Sequence, residues 1–163
     1  MSSRPQRFNL FMAMLAFSAA SLMAQMPNPY GAPISLEDAR KPAAAARAEA
    51  VKNNWTMAIA IVDTSGNLVY YEKMDNTQIA SATVAIDKAR SAVLYKRPTK
   101  ALQDGLAAGG AGLRILRLQG AMPVEGGLPL VVDGKIIGAI GVSGDTSSND
   151  NQCAAAGVAA AMK

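Results

Sequence analysis

Apolar and polar residues recur along this chain at distinct periods, and those periods divide it into elements. From Ser35, the alanines Ala39, Ala43, Ala46 and Ala50 and then Val51 share one helical face as far as Asn53, and Asp38 completes an imperfect capping box with Ser35. Pro42 interrupts that stretch, because it lacks an amide donor and crowds the preceding turn. Either a kink or a regular helix starting near Lys41 is expected. The unbroken apolar run Met57–Val62 suits a strand buried on both faces; "DTSGN" supplies a turn, and Leu68–Met74 returns as its partner. Ile79, Ala82, Ile86, Ala89 and Val93 lie three or four apart, which predicts a helix from Ile79 to Leu94 that ends before Arg97-Pro98. Thr99 is expected to cap a short helix through Ala107, "AAGGAG" breaks the chain, and a short strand is placed at Ala121–Val124. Leu128–Ser143 reads as a second hairpin turning at Asp133-Gly134. Ser148 or Asn149 then caps a last helix, Asp150–Met162, with Asp150 at its positive end. Two antiparallel hairpins among helices define an α+β domain whose antiparallel sheet is covered by helices.

Composition narrows this picture. The chain has 163 residues, of which 50% are apolar and 17% charged, a profile of one folded domain with a full core. The N-terminus "MSSRPQRFNLFMAMLAFSAASLMAQ" reads as a secretory signal over residues 1–24: Arg4 and Arg7, then a short apolar segment, then small residues. A periplasmic or secreted location follows, and the segment is too short to leave a stable membrane span after cleavage. Residues 25–34 hold three prolines and form a linker, and 35–163 form the domain. Arg4 and Arg7 carry two of the four net positive charges, so the remainder is too weakly basic to argue for nucleic acid. A single cysteine, Cys153, excludes an intrachain disulfide framework and a multi-cysteine zinc site, and with three alanines after it reads as a buried helix position. No histidine is present, which removes the usual base near neutral pH and the commonest metal and haem ligand.

The remaining chemistry is sparse. "GGLPLVVDGKIIGAIGVSG" carries six glycines but no phosphate-loop pattern, and Gly138 and Gly141 fall within a strand, where they favour close approach of another backbone or helix, or a bulge. Gly126 and Gly127 precede that hairpin, as either a strand-entry turn or a small anion-binding nest. Glu125 beside them is the carboxylate whose apolar, Gly-rich setting best suits acid–base work. Asp63 and Asp133 are turn residues; Asp145, Asn149 and Asp150 serve either as helix caps or as oxygen ligands, and the metal question stays open. Ser143 and Cys153 have no histidine to activate them, and pairing Ser143 with Lys88 requires the fold to bring them together. Met74 and Tyr95 read as core or interface residues, yet they are among the few side chains left that ligate haem iron.

"AIVDTSGNLVYYEKMDN", "AIDKARSAVLYKRPT", "GGLPLVVDGKIIGAIGVSG" and "DNQCAAAGVAA", in this order, resemble the GlcG/HbpS family, which includes the C-terminal domain of PduO-type proteins. The resemblance spans roughly Leu36 to Ala161. It implies a profilin-like fold, a five-stranded antiparallel sheet with helices on both faces, assembled into homo-oligomers that are octamers in some members. It also implies an association with haem or other tetrapyrroles, with secreted members linked to redox sensing and haem degradation. Haem binding in parts of the family is attributed to a histidine, which this chain lacks; Met74, Tyr95, Lys88 and Cys153 are the ligand types that remain.

The leading expectation is a small-ligand-binding protein with haem or another tetrapyrrole as first candidate. Its site would be Met74, Asp75, Lys88, Arg90, Tyr95, Gly126 and Gly127, with Lys88 or Arg90 meeting carboxylates. An alternative is a cofactor-independent isomerase, hydratase or lyase on a small hydroxy- or keto-acid, with Glu125 as base and Lys88 or backbone amides stabilising an enolate-like charge. A third is an oligomeric regulatory or structural module.

Overall fold

The computed structural model describes residues 28–162, and the signal-like segment 1–24 lies outside them. Its elements are α1 (Leu36–Lys52), β1 (Ala58–Asp63), β2 (Leu68–Lys73), α2 (Ser81–Leu94), α3 (Thr99–Ala107), a 3₁₀ helix (Gly110–Arg117), β3 (Gly127–Val132), β4 (Lys135–Ser143) and α4 (Ser147–Ala161). The strands form one antiparallel sheet in the order β2-β1-β4-β3.

The sheet has four strands among the described residues, not the five expected. The strand placed at Ala121–Val124 is a loop, because its amides are taken elsewhere. Met122 N–H donates to Ser91 Oγ at 2.9 Å, Val124 N–H to the Met122 carbonyl at 2.8 Å, and Glu125 N–H to Gln103 Oε1 at 2.8 Å. Side chains of α2 and α3 thus replace a neighbouring strand.

Helices cover both faces. On one, Met57, Ile59, Ile61, Leu130, Ile140 and Val142 pack with Ala39, Ala43, Ala46 and Ala50 of α1 and with Cys153 and Ala154 of α4. Each large aliphatic side chain buried there contributes about 1.5–3 kcal/mol. On the other face, Ala58, Ala60, Val62 and Ala139 meet Ala85, Ala89, Ala92 and Val93 of α2. The small residues set the spacing: a Cβ at Gly141 would overlap the Ala85 carbonyl and come 2.5 Å from the Ala89 nitrogen, so α2 lies directly on β4.

Local chemistry decides the element ends. Ser35 Oγ accepts from Asp38 N–H at 3.1 Å and caps α1, which runs unbroken through Pro42. The bond that Pro42 cannot donate would have ended on the carbonyl of Asp38, an exposed residue near the helix start, where solvent can satisfy that carbonyl instead. Thr146, rather than Ser148 or Asn149, caps α4: its Oγ1 accepts from Asn149 N–H at 3.3 Å. Pro98 occupies the cap of α3, and Thr99, its first residue, is buried. Asp133 and Gly134 turn the second hairpin with φ of 48° and 72°. Residues 29–34 lie along the start of β4, with Gly31 and Ile34 amides donating to the carbonyls of Ile136 and Ile137 at 2.8 Å each. No described helix is long and apolar enough to cross a membrane.

Candidate functional site

Two charged centres stand out, one sealed and one open. In the sealed one, Lys88 projects from the middle of α2 and is 1% exposed. Its Nζ donates to Asp150 Oδ2 at 2.6 Å and to the Val142 carbonyl at 3.1 Å. The other Asp150 oxygen accepts from Asp145 N–H at 3.1 Å, so the carboxylate is held from two directions. Burial pulls the Lys88 ammonium below its ordinary value, against the raising effect of Asp150; burial equally raises the Asp150 carboxyl, against Lys88. Asp150 sits in the first turn of α4 as expected, but its principal partner is a lysine 62 positions away.

Gly126 closes over this pair. Its φ is +119°, and a Cβ there would come 2.9 Å from Lys88 Nζ, from Asp150 Cβ and from the Val142 carbonyl. Gly127 is buried against the Lys88 carbonyl, and its amide donates to Thr99 Oγ1 at 2.9 Å. The two glycines therefore pack a loop against α2 and α3 and do not open an anion nest. Lys88 likewise is no exposed cation for a propionate or an enolate, since its ammonium is covered and committed. Glu125, half-buried above it, faces α3 through its amide contact with Gln103. Glu125 and Lys88 do not share a centre that substrate can enter. Ser143 is near Ser81, which its hydroxyl reaches at 3.1 Å.

The other expected residues separate toward the ends of α2, which is about 20 Å long at 1.5 Å per residue. Arg90 Nε donates to the Gly66 carbonyl at 3.1 Å, and the Tyr95 hydroxyl to the Gln119 carbonyl at 2.6 Å, both beyond the middle of that helix. Met74 and Asp75 lie past the end of β2, before α2 begins, where Thr77 Oγ1 donates to the Met74 carbonyl at 2.8 Å. They line an open pocket of about 440 Å³ with Arg47, Glu72 and Lys73. Met74 Sδ accepts from Met57 N–H at 3.4 Å, and Glu72 Oε2 accepts from the Tyr70 hydroxyl at 3.0 Å. Two cations, two carboxylates and a methionine thus line one opening, which offers a ligand both polar and apolar contacts.

Arg47, Glu72 and Lys73 were missed as site residues. Arg47 had one signal, a lone cation in the run "AAAARAEA"; Glu72 and Lys73 look like ordinary strand-edge charges. Among the described residues no group of three or more His, Cys, Asp or Glu is placed to hold a metal ion.

An antiparallel sheet between helical layers, with a sealed ion pair beside the end of β4 and a polar-rimmed pocket at the end of an edge strand, defines a small α+β domain. This chain belongs to the HbpS-like family, described as "haem degrading protein HbpS-like", whose profile matches residues 34–159. It is 41% identical to protein GlcG of Escherichia coli (strain K12) over 100 residues, covering 61% of this chain and 73% of GlcG. Its fold is similar to the crystal structure of a double mutant of Streptomyces reticuli HbpS, with a TM-score of 0.73 and 26% identity over 98% of this chain and 95% of that one. It is also similar to the structure of a PduOC:heme complex, with a TM-score of 0.71 and 28% identity over 78% of this chain and 94% of that one.

Of the four iron-ligand types expected from the resemblance, three lie outside the lining of the Met74 pocket, and two of these are sealed. Lys88 is ion-paired, the Tyr95 hydroxyl is bonded to a carbonyl, and Cys153 is buried with its thiol pushed up to about 12 by burial and then by Glu49 and Asp150. Met74 is the one that lines the pocket presenting Arg47 and Lys73; its side chain packs partly against the core, its sulfur accepts from Met57 N–H, and a thioether keeps a second lone pair.

Proposed function

We propose that this protein is a periplasmic or secreted binder of an anionic tetrapyrrole, haem first, acting as a homo-oligomer in haem handling or redox sensing. One observation carries the reading: Met74 lines an open pocket together with Arg47 and Lys73. Arg47 and Lys73 would hold the carboxylates of the macrocycle, and Met74 would face its metal. Haem bound there would supply a redox-active iron, and the chain's residues would bind and orient it in a pocket that is open and only about 440 Å³. Glu72 and Asp75 balance the two cations, so the pocket selects by the placement of charge rather than by its sum.

Membership of a family described by haem degradation supports the ligand class, and the PduOC:heme complex supports it further. The signal-like residues 1–24 support the location. Self-association is supported by an exposed apolar strip on α1, where Ala44, Ala48 and Val51 lie together. The test is native mass spectrometry of protein purified from its producing cells. Retained tetrapyrrole mass on a multi-copy species is expected; a bare monomer with no visible absorbance overturns the reading.

A further inference from the structure

The 3₁₀ helix Gly110–Arg117 has no buried residue, although it contains three large aliphatic side chains. A 3₁₀ helix repeats every three residues, so its side chains stand in three ridges. The first ridge, Gly112 and Ile115, faces α3: a Cβ at Gly112 would overlap the Gly105 carbonyl, and one at Gly105 would come 3.0 Å from Ile115 Cδ1. The second ridge is Leu113 and Leu116, which are 54% and 65% exposed. The third is Arg114 and Arg117. Leu118, 40% exposed, and Leu94, 49% exposed, extend the apolar surface beyond the helix.

Charge is concentrated here as well. Residues 94–120 contain five Lys or Arg against one Asp, a surplus equal to the +4 of the whole chain. The single acid, Asp104, is spent on Lys100 at 2.8 Å. Among the described residues Arg97, Arg114 and Arg117 form no ion pair. A protruding leucine ridge beside an uncompensated arginine ridge needs a partner with an apolar interior and an anionic surface.

From this we infer that the segment docks on the surface of an anionic phospholipid bilayer, with Leu113 and Leu116 entering the headgroup boundary and Arg114 and Arg117 meeting phosphates. A second copy fits this face less well. In a two-fold contact the patch meets itself, which would bring the arginine ridges of two chains together without acids to separate them. The inference goes beyond tetrapyrrole binding and does not depend on it, because the segment lies on α3, away from the Met74 pocket.

The experiment is sedimentation of the protein, expressed full-length and purified as the cell processes it, with vesicles of phosphatidylcholine alone or with one third phosphatidylglycerol. Binding to the anionic vesicles is expected, weakened by 0.5 M salt. Arg114→Gln with Arg117→Gln should weaken it roughly 30-fold, since each cation near such a surface is worth about fivefold. Leu113→Ser with Leu116→Ser should also reduce it. Both pairs are exposed, so an unchanged melting profile serves as the folding control. Equal binding to both vesicle types, or binding that neither double substitution alters, overturns the inference. So does absence of vesicle binding combined with a smaller particle mass in light scattering for the leucine variant, which would make the ridge a contact between copies.

Discussion

Removing one partner of the Lys88–Asp150 pair should unfold this protein more readily than any other single polar change in its described part. At an N–O separation of 2.6 Å and an effective dielectric of about 20, the attraction is roughly 6 kcal/mol. Desolvating the two ions costs several kcal/mol each, so the intact pair contributes little net stability. A lone charge left at a site 1% or 3% exposed is different. Asp150→Asn or Lys88→Met should each cost about 3–5 kcal/mol, a large part of the 5–15 kcal/mol typical of a domain. In urea unfolding this appears as a lower midpoint at constant slope.

The pH dependence gives the sharper test, because the two variants slope in opposite directions. In Asp150→Asn, burial still depresses Lys88 but its main opposing partner is gone. The unfolded chain then binds the proton better than the folded one, so stability rises as pH climbs from the lowered folded pKa towards the ordinary 10.5. In Lys88→Met, burial still raises Asp150 above 3.8. The folded chain now binds the proton better, so stability rises as pH falls from the raised pKa to 3.8. The double variant should recover part of the loss, since no lone charge remains. Single variants within 1 kcal/mol of the parent, or slopes of the same sign, would refute the reasoning.

Three further outcomes follow from the packing and the turns. Gly141→Ala forces a methyl into the Ala85 carbonyl, so α2 must lift from β4; a loss of about 1–3 kcal/mol or more is expected in thermal unfolding. Cys153 is buried and its thiol pushed up to about 12, so a thiol reagent at pH 8 should react slowly with native protein and quickly in urea. Burial tends to raise the Asp63 carboxyl, but hydrogen bonds from Asn67, Ser65 and Gly66 outweigh it and hold the group below 3.8. Its stabilising contribution is therefore present above 3.8 and lost as pH falls through the lowered value; Asp63→Ala should cost about 1–2 kcal/mol at pH 7 and progressively less below that window.

Elements were legible where chemistry is local. Asp133-Gly134 announced its hairpin because few residues besides Asn, Asp and Gly tolerate two successive positive φ angles. Asp63 announced the other because its side chain bonds the amides of Ser65 and Asn67, two and four residues on. Gly138 and Gly141, legible as positions of close approach or a bulge, are close-approach positions: a Cβ at either would overlap a backbone carbonyl, of Val62 or Ala85. The missing strand at Ala121–Val124 failed for a non-local reason: Ser91 and Gln103, distant in sequence, satisfy that loop. The candidate site was legible only in part for the same reason. Met74 and Asp75 stood out, but Arg47 reaches them from α1, and nothing local to Lys88 reveals that Asp150 neutralises it. Gly126 looked like a ligand contact because a bare backbone is equally suited to a ligand and to a buried ammonium.

The central claim is that a tetrapyrrole binds at the Met74 pocket, and titration with haemin followed at the Soret band tests it most directly. The protein should give a saturable, shifted band; Met74→Leu should change its position, and Arg47→Glu with Lys73→Glu should weaken binding at least tenfold, since two carboxylate contacts are lost. A spectrum matching haemin with a non-binding control protein, or a saturable band untouched by all three substitutions, would contradict the account.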